Sequence, residues 1–128
     1  MLTEFKNATQ PKDGYRRVFG DDFFDLYVWY AEREGGIIGF ELCYDRSGDP
    51  HSIIWKVDGG YLHSRIDDGE GRPGRSKKAP ILVADGLFSN LEIAGKFRLR
   101  ARKIEREIAD LVYEKLREYE KSRENPFL

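Results

Sequence analysis

Apolar and polar residues alternate along 24–44, FDLYVWYAEREGGIIGFELCY, in two runs joined by a charged stretch ending in Gly35 and Gly36. Alternation with period two marks a half-buried strand, because successive side chains leave a strand on opposite faces. The pattern predicts a β-hairpin with Phe24, Leu26, Val28 and Tyr30 on one face, returning through Ile38, Phe40, Leu42 and Tyr44. Closing the loop over 32–36 pairs Tyr30 with Ile38, Val28 with Phe40 and Leu26 with Leu42. Trp29 then lies across from Gly39, where its ring covers bare backbone. The opposite face carries Asp25, Tyr27, Trp29, Ile37, Gly39, Glu41 and Cys43.

Upstream the signals are weaker: Thr3 is a candidate cap, 11–14 (PKDG) reads as a turn, and 15–19 as a short strand. Downstream, 45–50 (DRSGDP) breaks the pattern, and 52–57 is a third main strand, rich in β-branched residues. Asp58-Gly59-Gly60 predicts a tight hairpin into a strand over 61–67. A two-residue turn there places Ile53, Trp55 and Val57 with Leu62, Ser64 and Ile66. It leaves Ser52, Ile54, Lys56, Tyr61, His63 and Arg65 on the other face.

A long loop follows over 67–80, and 80–84 (PILVA) is a candidate edge strand. Beyond a cap at Ser89 or Asn90, the residues Ile93, Phe97, Ala101, Ile104, Ile108, Leu111, Val112, Leu116 and Tyr119 form one helical stripe. Thirty helical residues would reach ~45 Å, longer than a small domain is wide, so a break near 103–106 is expected. These elements define an α+β class, an antiparallel meander of four to five strands with one or two C-terminal helices. The helices should pack on the face of Leu26, Val28, Phe40, Leu42, Trp55 and Leu62. The organisation is a lead-in over 1–14, one domain over 15–121, with strands about 15–67 and helices about 89–121, and a tail over 122–128.

Composition changes this picture little. A chain of 128 residues with 40% hydrophobic and 35% charged content suits one packed, well-solvated domain. No run approaches the ~18 apolar residues of a membrane span, and no membrane partner is expected. A single cysteine excludes an internal disulfide and fits a reducing cytoplasm. Charge is more informative. Residues 1–71 hold 8 Lys/Arg against 14 Asp/Glu, residues 72–106 hold 10 against 3, and residues 107–128 hold 4 against 6. The basic block either meets an anionic partner or faces the acidic half of its own chain.

The strings VWY…GGIIGFELCYD, HSRIDDGEG and PILVADG, within roughly 15–119, resemble a family of small bacterial proteins known only as conserved hypotheticals. The resemblance implies a bacterial cytoplasmic single domain. That family has no assigned activity, cofactor or partner, so no catalytic residue is carried over.

Three sets of residues are candidates for chemistry. His63, Arg65 and Asp67 alternate along one strand, with Asp68 and Glu70 next and Asp85 across the long loop. A histidine among carboxylates can serve as a general acid or base, the pattern of a small hydrolase-like enzyme. With no second histidine expected nearby and no cysteine cluster, a zinc site is not expected; an oxygen-rich Mg²⁺ site from Asp67, Asp68, Glu70 and Asp85 is chemically possible, and no cofactor is assigned. Asp-Asp-Gly-Glu is equally a turn stabilised by its own side chains. The second set is basic: Arg72, Arg75, Lys77 and Lys78 in the loop, with Arg98, Arg102 and Arg106 at i,i+4 spacing on the helix. It lacks a Walker pattern or base-reading motif but suits an anionic ligand or nucleic-acid backbone. The third is the sheet's second face, Tyr27, Trp29, Glu41, Lys56, Tyr61, His63 and Arg65. It is too aromatic for plain solvent and too polar for a plain core, which suits a ligand, a protein partner or a second copy. A non-catalytic binding or interaction module is the leading expectation.

Overall fold

A computed structural model describes residues 1–45, 47–66 and 90–124. Their strands are β1 (Thr3–Glu4), β2 (Tyr15–Gly20), β3 (Phe24–Tyr30), β4 (Ile37–Tyr44), β5 (His51–Lys56) and β6 (Gly60–Arg65). They form one six-stranded antiparallel sheet in sequence order, followed by α1 (Asn90–Arg100) and α2 (Arg106–Glu124). The class is the expected α+β, but the sheet has more strands than the four to five expected. The added strand is β1, where Thr3, a candidate cap, instead pairs with Gly20. Two residues are too few to show an alternation. The candidate strand over 80–84 lies outside the described residues.

β3 alternates buried and half-buried side chains as the pattern predicts, with Phe24, Leu26, Val28 and Tyr30 inward. Val28 pairs with Phe40, Leu26 with Leu42 and Trp29 with Gly39, as expected. The register then slips. Tyr30 pairs with Ile37 rather than Ile38, so a β-bulge inserts Ile38 as an extra residue opposite Trp29 and Tyr30. Ile37 therefore packs against the core, while Ile38 turns to the other face and is 41% exposed.

The β5–β6 hairpin departs in a similar way. Lys56 pairs with Gly60, which leaves a three-residue loop, and the Gly59 amide donates to the Lys56 carbonyl at 3.1 Å. Gly60 has φ +72°. A tight turn followed by a left-handed glycine is the common three-residue solution, and it needs glycine at that position. The odd loop length reverses the phase of β6. Tyr61, His63 and Arg65 share the helix-facing side with Trp55, Ile53 and His51, whereas Leu62, expected in the core, faces away.

The helical stripe breaks where length requires it. α1 ends at Arg100, a turn covers 101–104, and α2 runs for 19 residues. Phe97, Ile108, Val112 and Leu116 are fully buried against the sheet with Phe24, Phe40, Leu42 and Ile53. Each such side chain contributes roughly 1.5–3 kcal/mol of transfer free energy. Arg17 ties three elements together: it forms two bonds to Glu4, at 2.7 and 2.9 Å, and one to Glu105 at 3.3 Å. The elbow between the helices is thereby anchored to β2.

Candidate functional site

The face away from the helices is built of cross-strand rows. One runs Asp25–Cys43–Ser52–Ser64, the next Val18–Tyr27–Glu41–Ile54–Leu62, and the third Arg16–Trp29–Gly39–Lys56. Its exposure is graded. Ser52, Ser64 and Glu41 are buried, and both serine hydroxyls lack a hydrogen-bond partner. The Cys43 thiol donates to the Glu41 carboxylate at a long 3.7 Å. Burial pushes the Tyr27 hydroxyl above its ordinary pKa, with the carboxylates of Asp25 and Glu41 acting in the same sense and the nearby Arg16 opposing them. The Arg16 guanidinium sits 5.6 Å over the Tyr27 ring.

At the other end the face opens. The Trp29 ring lies on Gly39, where an added Cβ would stand 3.3 Å from the indole and 2.7 Å from the Trp55 carbonyl. The bulge sets Ile38 beside this ring, and the Val57 amide donates to the Ile38 carbonyl at 2.9 Å. Val57 is 65% exposed. Trp29, Ile38 and Val57 thus line a half-open cleft of about 490 Å³, whose rim includes Asp13, Tyr15, Lys56 and Asp58. The Lys56 ammonium stands 5.7 Å over the Trp29 ring.

Of the seven residues expected on this face, Tyr27, Trp29, Glu41 and Lys56 are there. Tyr61, His63 and Arg65 are not, because the three-residue loop turns them towards the helices. The Tyr61 hydroxyl donates to the Lys115 carbonyl of α2 at 2.8 Å, and burial, then the Glu118 charge, pushes its pKa well up. Arg65 forms an exposed ion pair with Asp49 at 3.5 Å. His63 is 4% exposed and shares a 2.7 Å hydrogen bond through Nε2 with the Tyr44 hydroxyl. Burial strongly raises the Tyr44 pKa, so this hydroxyl keeps its proton.

The expectation that no second histidine lies nearby is corrected by His51. Its ring stacks on Tyr44 and on His63, with centroids 5.6 Å away in both cases, and Tyr119 meets His63 edge-on. His51 Nδ1 lies 2.6 Å from the Asp49 carbonyl, so Nδ1 carries the proton and donates. Its Nε2 is buried and without a partner. His51 follows directly on the turn at 45–50, and only the three-residue hairpin loop brings it to the same face as His63. Replacing Tyr44 with phenylalanine removes one partner of a buried pair. It is expected to cost about 1–3 kcal/mol, read from urea unfolding. A loss below about 0.5 kcal/mol would show that the bond contributes nothing net.

Asp67, Asp68, Glu70, Arg72, Arg75, Lys77, Lys78 and Asp85 lie outside the described residues. Arg98 and Arg102 are described, and with Arg106 they line a second cleft at the α1–α2 elbow. Among the described residues, no group of three or more His, Cys, Asp or Glu side chains is placed to hold a metal ion. No helix among them is long and apolar enough to cross a membrane. Comparison of the chain with protein-family models, curated proteins and solved structures finds no match.

Proposed function

We propose that this protein is a non-catalytic binding module whose ligand seats an apolar group against Trp29, Ile38 and Val57. The observation that carries the reading is the bulge, which turns Ile38 out of the core and beside an indole already fixed on Gly39. A regular hairpin would have buried that side chain. The resulting cleft has the size of a small-molecule site, combining aromatic and aliphatic walls with a few charged groups at the rim. Lys56, Asp13 and Asp58 in its lining suit a ligand with an apolar body and a polar or zwitterionic end. A reducing, cytoplasmic setting accords with the single thiol, Cys43.

The same coordinates give less support to a reaction at His63. Its Nε2 is engaged by Tyr44 and its ring is enclosed by His51 and Tyr119, the surroundings of a packing residue.

The test is a fragment screen followed by the Trp29 indole and Ile38 methyl resonances. Ligands with an apolar ring are expected to shift both signals. Ile38→Glu should weaken them at least about tenfold, equal to ~1.4 kcal/mol, without lowering the melting temperature. Ligands that shift other regions only, or bind the variant equally well, would overturn the reading. A second copy as the occupant would instead appear as self-association of the wild type that Ile38→Glu abolishes.

A further inference from the structure

Among the described residues, part of the basic block is engaged by neighbouring side chains. Arg100 bonds to Asp22 at 2.6 Å and to Asp21 at 3.2 Å, and Lys96 lies 4.4 Å over the Phe23 ring. Glu105, one of the three acidic residues in the block, turns away to Arg17. Arg98, Arg102 and Arg106 line the cleft at the elbow, about 630 Å³ in volume, and among the described residues Asp110 is the single carboxylate in its wall. Among the described residues, Arg102 and Arg106 form no ion pair. Arg98 is the partnered member of the three, resting 4.7 Å over the Tyr113 ring as Lys96 does over Phe23.

α2 begins on Arg106, which is flanked by Glu105 and by Glu107 in the first turn of the helix. Leu99, largely exposed, and Ile104 and Ala109, partly buried, give the same lining an apolar part.

We infer that the α1–α2 elbow binds a small phosphate-bearing ligand, its phosphate held by Arg98, Arg102 and Arg106 and its apolar part resting on Leu99, Ile104 and Ala109. Guanidinium groups present paired N–H donors that match phosphate oxygens, and three around one concavity favour a di- or monophosphate over a single carboxylate. The α2 N-terminus adds potential of the same sign. A small ligand is favoured over a nucleic-acid strand because two of the neighbouring cations, Arg100 and Lys96, are engaged elsewhere, which leaves Lys103 as the exposed exception. This site lies on the helices and is independent of the Trp29 cleft.

The probes are inorganic phosphate, pyrophosphate and a nucleoside diphosphate, titrated calorimetrically into the full chain at low salt. Saturable binding is expected, tightest for the nucleoside diphosphate, which alone carries a group for the apolar part of the lining. Arg102→Gln and Arg106→Gln should each weaken pyrophosphate at least tenfold, with Arg102→Lys between them and the wild type. Arg65→Gln, on the far edge of the sheet, should have no effect. All these side chains are exposed, and unchanged circular dichroism would confirm that each variant folds. No saturable binding at millimolar probe would overturn the proposal, as would an equal loss in Arg65→Gln, which would mark a diffuse charge effect. Oligonucleotide binding that tightens with strand length and exceeds that of the diphosphate would overturn it in favour of a nucleic-acid surface.

Discussion

Phe24→Ala is expected to lower the free energy of unfolding by about 3–5 kcal/mol, the cost of an emptied aromatic site in a closed core. Phe24 is fully buried, stands edge-on to Phe97 of α1 with centroids 5.8 Å apart, and packs on Phe23 at 4.8 Å. The residue therefore joins the first long strand to the first helix, and its removal opens the layer interface at one end. The remaining wall, with Leu26, Phe97 and Tyr44, belongs to three different elements and cannot collapse into the void without moving one of them. Urea unfolding monitored by circular dichroism reads the loss, and Phe24→Leu should recover more than half of it. A loss under about 1.5 kcal/mol would show that the site relaxes freely.

Asp21→Ala should cost about 2–3 kcal/mol at neutral pH. Its buried carboxylate accepts from the Phe23 and Phe24 amides, both at 2.8 Å, and from Arg100 at 3.2 Å. Truncation orphans two amides at the β2–β3 turn and loosens the end of α1. Burial alone would raise the Asp21 pKa, but the two amides and Arg100 outweigh it and hold the carboxyl below its ordinary value. The sign of the pH effect follows from that direction. A depressed carboxyl contributes its full stabilisation above the unfolded-state value of about 4, and loses it as pH falls through the folded value. Glu4, held low chiefly by its bond to Arg17, acts with the same sign. The difference between wild type and Asp21→Ala, followed by thermal melts, should therefore shrink on acidification below pH ~4. A difference that stays constant or grows would contradict the assignment.

The class and the core were largely legible in the alternation of 24–44 and in the stripe from Ile93 to Tyr119, because burial imposes those periods directly. What the pattern hid depended on single extra residues. Ile37 and Ile38 are both apolar, so hydrophobicity cannot say which of them a bulge will turn outward. Asp58-Gly59-Gly60 fits two- and three-residue loops alike, and Leu62 and Ile66 made the wrong phase look more apolar than Tyr61, His63 and Arg65. The aromatic residues on α2, Tyr119 above all, offered those histidine and tyrosine rings a place that a count of apolar positions does not register. The cleft was hidden for the same reason as Ile38. By contrast, Arg98, Arg102 and Arg106 were visible through their spacing, although they meet at an elbow rather than along one continuous helix face.

The order of the sheet, β1 to β6 without a crossover, has a consequence for how the chain assembles. From β2 onward each strand meets its predecessor through a loop of three to six residues, and α1 meets α2 through five, so most native contacts close small lengths of chain. Closing short loops loses little entropy and proceeds quickly, and topologies of this kind fold faster than sheets with distant partners. One long closure remains, the return of the helices to the sheet after β6. It joins two parts that can each take shape locally, and it is the step that seals Phe24, Leu42 and Ile53 from water.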